Sequence, residues 1–201
     1  MKLVYHSWDV DKRFTAELID KISKVPPLDK IFTDASESDS LPAYKKDIFY
    51  KRDSIYDAVS IVIRIKRDIS KERHLVVTRN QFFPLRNDAD MMMIVLGGLR
   101  AYGCAFGNEG VAFIRPIRHD QQRSRKLNLD YALELACHEL GGTFEWNDWE
   151  KCKDKSCFAY GKMSEDTGGI IVPPYGRNHY CSNHLEILVQ NAQRFRIGEL
   201  P

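Results

Sequence analysis

The stretch Cys137-His138-Glu139-Leu140-Gly141-Gly142-Thr143-Phe144 decides how this chain of 201 residues is read. In a His-Glu-x-x-His helix, two imidazoles four residues apart hold Zn²⁺ from one face. The Glu between them is the general base for the metal-bound water. His138 and Glu139 fill the first two positions, but Gly142 stands where the second imidazole belongs. Leu129, Leu133, Ala136 and Leu140 make an apolar stripe at helical spacing, and His138 lies on another face. Each Gly costs roughly 1 kcal/mol relative to Ala inside a helix. The pattern therefore predicts a helix from about Asn128 that ends at Gly141-Gly142.

Upstream, Phe14, Leu18 and Ile22 form an i, i+4, i+8 stripe widened by Ile19, which predicts a helix over 11–24, ended by Pro26-Pro27. Residues 34–43 are polar and read as a loop. The β-branched run at 58–65 predicts a strand, as do Leu75-Val76-Val77-Thr78 and Val111-Ala112-Phe113-Ile114. Met91-Met92-Met93-Ile94-Val95-Leu96 reads as a buried core segment rather than a methionine metal site, and a short helix is expected over 183–195. Strands followed by a long helix and a loop-rich tail point to a mixed α/β layer architecture in one domain spanning 1–201. Thirty Lys and Arg against 28 Asp and Glu leave a net charge of +2, so bulk charge points to neither nucleic acid nor membrane. No window approaches the ~18 apolar residues of a membrane span, and the first residues lack a signal-peptide core. The expected location is the cytoplasm, where grouped cysteines hold metal more often than they form disulfides.

Three of the cysteines fall late. Cys152 and Cys157 have four residues between them, and Cys181 precedes His184 by three positions. Two ligands from a turn and two from a turn entering a helix match a closed tetrahedral zinc site, which leaves no position for substrate. Cys152, Cys157, Cys181 and His184 are therefore the expected ligands of a structural zinc. The alternative is three unconnected cysteines and a surface histidine.

The order of these features resembles the archaemetzincins, compact metzincin-type peptidases with a catalytic zinc and a second, cysteine-bound zinc. The likeness is clearest from about Val76 to the closing helix and includes Gly103-Cys104-Ala105-Phe106-Gly107 and Val111-Ala112-Phe113-Ile114-Arg115. Upstream of residue 60 only the element order agrees. The family core is His-Glu-x-x-His-x-x-Gly-x-x-His-Cys. By that resemblance His138 is the first catalytic ligand, Glu139 the general base, and Thr143 and Phe144 fit. Gly142 replaces the second ligand and Glu145 the turning Gly. The third ligand falls on Asp148 without a gap, or on Lys151 if Cys152 is aligned to the family's Cys. Cys152, Cys157 and Cys181 match second-zinc ligands, with His184 in place of the last Cys. Ala159 stands where the family has Met, with Met163 nearby.

Catalytic zinc needs three protein ligands and an open water position, and His138 with Asp148 supply only two. Glu145 and His179 are further candidates if the post-helix loop folds back. The resemblance thus implies a metzincin-like domain: a small twisted mixed sheet on helices, with a zinc-pinned C-terminal segment. The leading expectation is one structural zinc, a degenerate catalytic centre and a cleft able to take a peptide or protein ligand without efficient hydrolysis. One alternative is an active zinc-dependent peptidase with non-standard ligands and Glu139 as base. Another is a zinc-stabilised nucleic-acid or protein interaction module using Arg115, Arg118, His119, Arg123, Arg125 and Lys126, although a solvated loop is the preferred reading of that cluster. Cys137 beside His138 is not a nucleophile–base pair, because adjacent helical residues project about 100° apart.

Overall fold

Glu72–Thr78 is the axis of the molecule, a strand buried at six of its seven positions and hydrogen-bonded on both sides. The computed structural model describes residues 1–38, 48–50, 53–63, 65, 68, 70–83, 103–117, 126–144, 152–160, 162–163, 170–171 and 176–198. In chain order the strands are β1 (Lys2–Trp8), β2 (Asp34–Glu37), β3 (Ile48–Tyr50), β4 (Asp53–Asp57), β5 (Glu72–Thr78), β6 (Gln81–Phe83), β7 (Gly103–Phe106), β8 (Val111–Ile114), β9 (Lys162–Met163) and β10 (Ile170–Ile171). The helices are α1 (Lys12–Ile22), α2 (Leu28–Ile31), α3 (Ala58–Val62), α4 (Leu129–Gly142) and α5 (Ser182–Arg196).

The main sheet has five strands in the order β2-β1-β5-β8-β7. Its first four strands run parallel, and β7 returns antiparallel along β8. A 3-10 turn over Gly107–Glu109 makes that reversal and closes on Gly110, whose φ of 63° is left-handed and suits a residue without Cβ. A smaller sheet joins β3-β4-β6, and β9 and β10 pair antiparallel.

Alternation along the strands divides the core in two. Leu3, Leu75, Val77, Ala112 and Ile114 pack with Leu18 and Ile22 of α1, Tyr131, Leu135 and Ala136 of α4, and Leu188 and Phe195 of α5. Val76, Val111 and Phe113 belong to the other cluster, with Ala58, Ile61, Val62 and Phe82. Arg73 is fully buried, with its guanidinium 4.5 Å from the Phe144 ring centre and 4.3 Å from that of Phe195. Those two stackings tie β5 to the end of α4 and to α5, and burial lowers the Arg73 pKa to about 10.

The mixed α/β class and the helices near 11–24, 128–142 and 183–195 agree with the sequence. Two local expectations do not hold. Within the run at 58–65, Ala58–Val62 forms α3, not a strand, with Ile63 N–H donating to the Val59 carbonyl at 3.1 Å. Ala58, Ile61, Val62 and Ile65 are buried at i, i+3, i+4 and i+7, while Ile63 is 73% exposed. That is a helical stripe, and packing against Val76 and Phe113 outweighs β-branched propensity. Asp34–Glu37, read as loop, is the parallel edge strand β2, which tolerates polar residues because its outer side carries no core. No element was assigned from sequence to β1. The Met91–Leu96 segment lies outside the described residues. No helix among the described residues is long and apolar enough to cross a membrane.

Candidate metal centre and the His138 helix

Helix α4 begins at Asn128, whose side chain accepts from Tyr131 N–H at 2.9 Å, and its last two residues are Gly141 and Gly142. Thr143 caps it and returns its hydroxyl to the Leu140 carbonyl at 2.7 Å. The diglycine is thus the terminus its spacing predicts. Four residues before that end, His138 is buried and its Nδ1 lies 2.6 Å from the Phe158 carbonyl oxygen. A carbonyl only accepts, so Nδ1 carries the proton and Nε2 is left as the lone-pair nitrogen. Burial, reinforced by the nearby Arg177 guanidinium, lowers the His138 pKa to about 4, so the ring is neutral at pH 7. A histidine pinned through one nitrogen to a backbone carbonyl is the arrangement found behind metal-bound imidazoles.

Glu139 is also buried, and its side chain packs on the Cα of Gly103 in β7. A Cβ there would fall 2.8 Å from both Cγ and Cδ of Glu139, so Gly103 is what allows the carboxylate its place beside the edge strand.

The tail delivers the other cluster. Ser156 N–H and Cys157 N–H donate to the side chain and carbonyl of Asp154 at 2.9 and 3.1 Å, folding a tight turn. That turn pairs with the chain around His179, where Phe158 N–H donates to the His179 carbonyl at 2.7 Å. The Tyr180 hydroxyl donates to the Cys137 carbonyl on α4, fixing the tail to the helix. Cys152, Cys157, Cys181 and His184 thereby converge, with their ligand atoms all within 4.8 Å of one another. Cys152 Sγ and Cys181 Sγ are 3.8 Å apart, and Cys181 Sγ is 3.1 Å from His184 Nδ1. Thiolates about 2.3 Å from a tetrahedral zinc would be separated by about 3.8 Å, so the sulfur spacing fits that ion. Cys157 Sγ also accepts N–H groups from Cys181 at 3.3 Å and Ala159 at 3.4 Å, bonds that favour a thiolate. Burial pushes the Cys157 thiol up to about 12, raises Cys152 and lowers His184. With the Cys152 and Cys157 thiols raised, their ionisation at pH 7 calls for a cation beside them, and the His184 imidazole completes the donor set. The residues fit zinc.

The candidates of the catalytic motif fare differently. His138 and Glu139 sit on α4, and Gly142 offers no side chain at i+4. Asp148, Glu145 and Lys151 lie outside the described residues, as do Arg118, His119, Arg123 and Arg125 of the basic stretch. His179 pairs with Asp154 at 3.2 Å and with Asn178. Arg115 is buried and donates to the Arg79 carbonyl at 3.2 Å, so it faces inward. Cys137 is wholly buried, and burial raises its thiol far above the usual range. Sequence reasoning missed Glu134 and Arg177. Arg177 is buried, donates to the Phe158 and Tyr160 carbonyls at 3.4 and 3.3 Å, and lies 3.5 Å from Glu134. Glu134 stands four before His138, which could have drawn notice; Arg177, 43 positions after Glu134, carries no spacing signal.

Neither a protein-family model nor a curated protein matches the sequence. Solved structures do. An archaemetzincin from Methanopyrus kandleri matches with a TM-score of 0.61 and 18% identity, covering 96% of each chain. An archaemetzincin from Archaeoglobus fulgidus, complexed with malonate, gives 0.56 at 16% identity, covering 93% of this chain and 99% of that one. A zinc-dependent peptidase from Methanocorpusculum labreanum gives 0.57 at 15%, covering 92% and 99%. With agreement over nearly the whole length, this chain has the archaemetzincin fold.

Proposed function

We propose that this chain is a zinc protein of archaemetzincin fold that keeps the structural zinc and has lost efficient zinc peptidase chemistry. The convergence of Cys152, Cys157, Cys181 and His184 within 4.8 Å supports the first part. Zinc bound there supplies cross-linking of the tail and no open coordination position. Gly142 supports the second part: with no side chain there, His138 lacks its helical partner, and an ion held by too few ligands exchanges away. Without a firmly held ion, Glu139 is a buried acid beside strand β7, not a base acting on metal-bound water. A peptide or protein ligand bound beside Glu139 and β7 would then be held without being cut.

The Nδ1 bond of His138 favours one second reading. Because Nε2 faces away from the Phe158 carbonyl as an acceptor, His138 remains chemically able to bind a metal, with Asp148 and another group as non-standard partners. Peptide cleavage by zinc-supplemented protein separates the two. The leading reading expects Glu139→Gln to leave the trace rate on an unstructured polypeptide unchanged. A fall of about 100-fold or more, the scale of losing a general base, would establish the active peptidase instead.

A further inference from the structure

The turn at residues 157–160 belongs to two groups of side chains at once. Its Cys157 is a member of the Cys152, Cys157, Cys181, His184 cluster, and the Ala159 N–H donates to that sulfur. One peptide along, the Phe158 carbonyl accepts from His138 Nδ1 at 2.6 Å and from Arg177 NH1 at 3.4 Å. The same NH1 reaches the Tyr160 carbonyl at 3.3 Å, so a single guanidinium bridges two carbonyls of the turn. Glu134 sets the guanidinium in place. Its Oε2 lies 3.5 Å from Arg177 Nε, and its Oε1 accepts from Gly176 N–H at 3.1 Å. Glu134 and His138, four apart on α4, share a helix face. The contacts therefore close a ring running from the helix through Glu134, Arg177 and the Phe158 carbonyl back to His138.

A buried ion pair is weak evidence for stability, since desolvation offsets much of its attraction. What this ring fixes is direction. The His138 tautomer depends on where one carbonyl points, and rotating that peptide would remove the acceptor from Nδ1. We infer that Glu134 and Arg177 are positioning residues that lock His138 in its Nδ1–H tautomer through the Phe158 carbonyl, and that zinc in the Cys152, Cys157, Cys181, His184 cluster tightens the same lock. The second half rests on the zinc assignment above; the first does not. The metal cluster and the His138 helix are then one mechanical unit, in which loading the former orients the imidazole of the latter.

The test is the imidazole N–H resonance of His138 in the ¹⁵N-labelled full chain, identified by its loss in His138→Gln. In zinc-loaded wild type a single Nδ1–H tautomer with slow solvent exchange is expected. In Arg177→Gln and in the isosteric Glu134→Gln, each still taking up zinc, exchange should be about tenfold faster, the scale of one hydrogen bond, with the second tautomer appearing. Removing zinc from wild type should accelerate exchange in the same direction. Wild-type exchange and tautomer in either folded, zinc-loaded variant would overturn the lock. An unchanged rate on zinc removal would overturn its tightening by metal. A chain that takes up no zinc yet shows faster exchange in the variants would sink the metal assignment and leave the lock standing.

Discussion

At the scale of single residues, buried histidines carry the clearest physical consequences. On the face of the sheet away from α4, His6 Nε2 lies 3.0 Å from His74 Nδ1, and His74 Nε2 lies 3.1 Å from Glu72 Oε1. The His6 and His74 rings stack with centroids 5.3 Å apart. Burial, followed by the charge of His74, lowers the His6 pKa to about 4, against a weaker opposing pull from Glu72. A base with a depressed folded pKa is disfavoured in its charged form by the fold. Its stability contribution is therefore complete above the unfolded value near 6.5 and is lost as pH falls toward 4, because the unfolded chain binds the proton first. Urea midpoints of wild type should thus give a loss of roughly 2 kcal/mol between pH 7 and 5 beyond that of His6→Gln. Equal losses would remove the argument. His138 is depressed as well but is common to both proteins, so the difference reports the coupled His6–His74 pair.

At the scale of elements, the contact between α4 and β7 positions Glu139, the acid of the His-Glu pair. Gly103→Ala would place a Cβ 2.8 Å from Cγ and Cδ of Glu139, closer than side chains tolerate. The carboxylate must then rotate away or the strand must shift. A cost of about 1–3 kcal/mol is expected from overpacking, read as a lowered melting temperature. Unchanged stability would show that Glu139 moves aside without cost. Element-scale legibility in the sequence followed the same physics. The stripe of Leu129, Leu133, Ala136 and Leu140 and the closing diglycine gave α4 its correct span, because local spacing and terminus chemistry agreed. At 58–65 two local signals conflicted: β-branched propensity favoured a strand, whereas Ala58, Ile61, Val62 and Ile65 already had helical spacing, and tertiary packing chose the latter. Strand β2 was unreadable because an edge strand of Asp34, Ala35, Ser36 and Glu37 needs no apolar alternation.

At the scale of the whole molecule, the fold and the Cys–His cluster are legible apart from the interrupted His-Glu-x-x-His pattern. Cys152, Cys157, Cys181 and His184 were legible because metal ligands come in pairs from turns, and the spacing survives without knowledge of the fold. Glu134 and Arg177 were not, because their pairing depends on how the tail folds back over α4. The same fold-back carries Tyr180 to the Cys137 carbonyl and Arg196 to the Ile31 carbonyl, so the tail, α4 and the end of α2 are held together by polar contacts. A zinc cross-link at residues 152–184 would secure this assembly whether or not the motif on α4 holds an ion. X-ray absorption at the zinc edge, combined with metal content of the full chain, tests that claim most directly. The account predicts one zinc per chain in a shell of three sulfurs at about 2.3 Å and one nitrogen at about 2.0 Å, abolished by Cys157→Ser and unaffected by His138→Gln. A second zinc that raises the nitrogen and oxygen share of the shell and disappears in His138→Gln would contradict it.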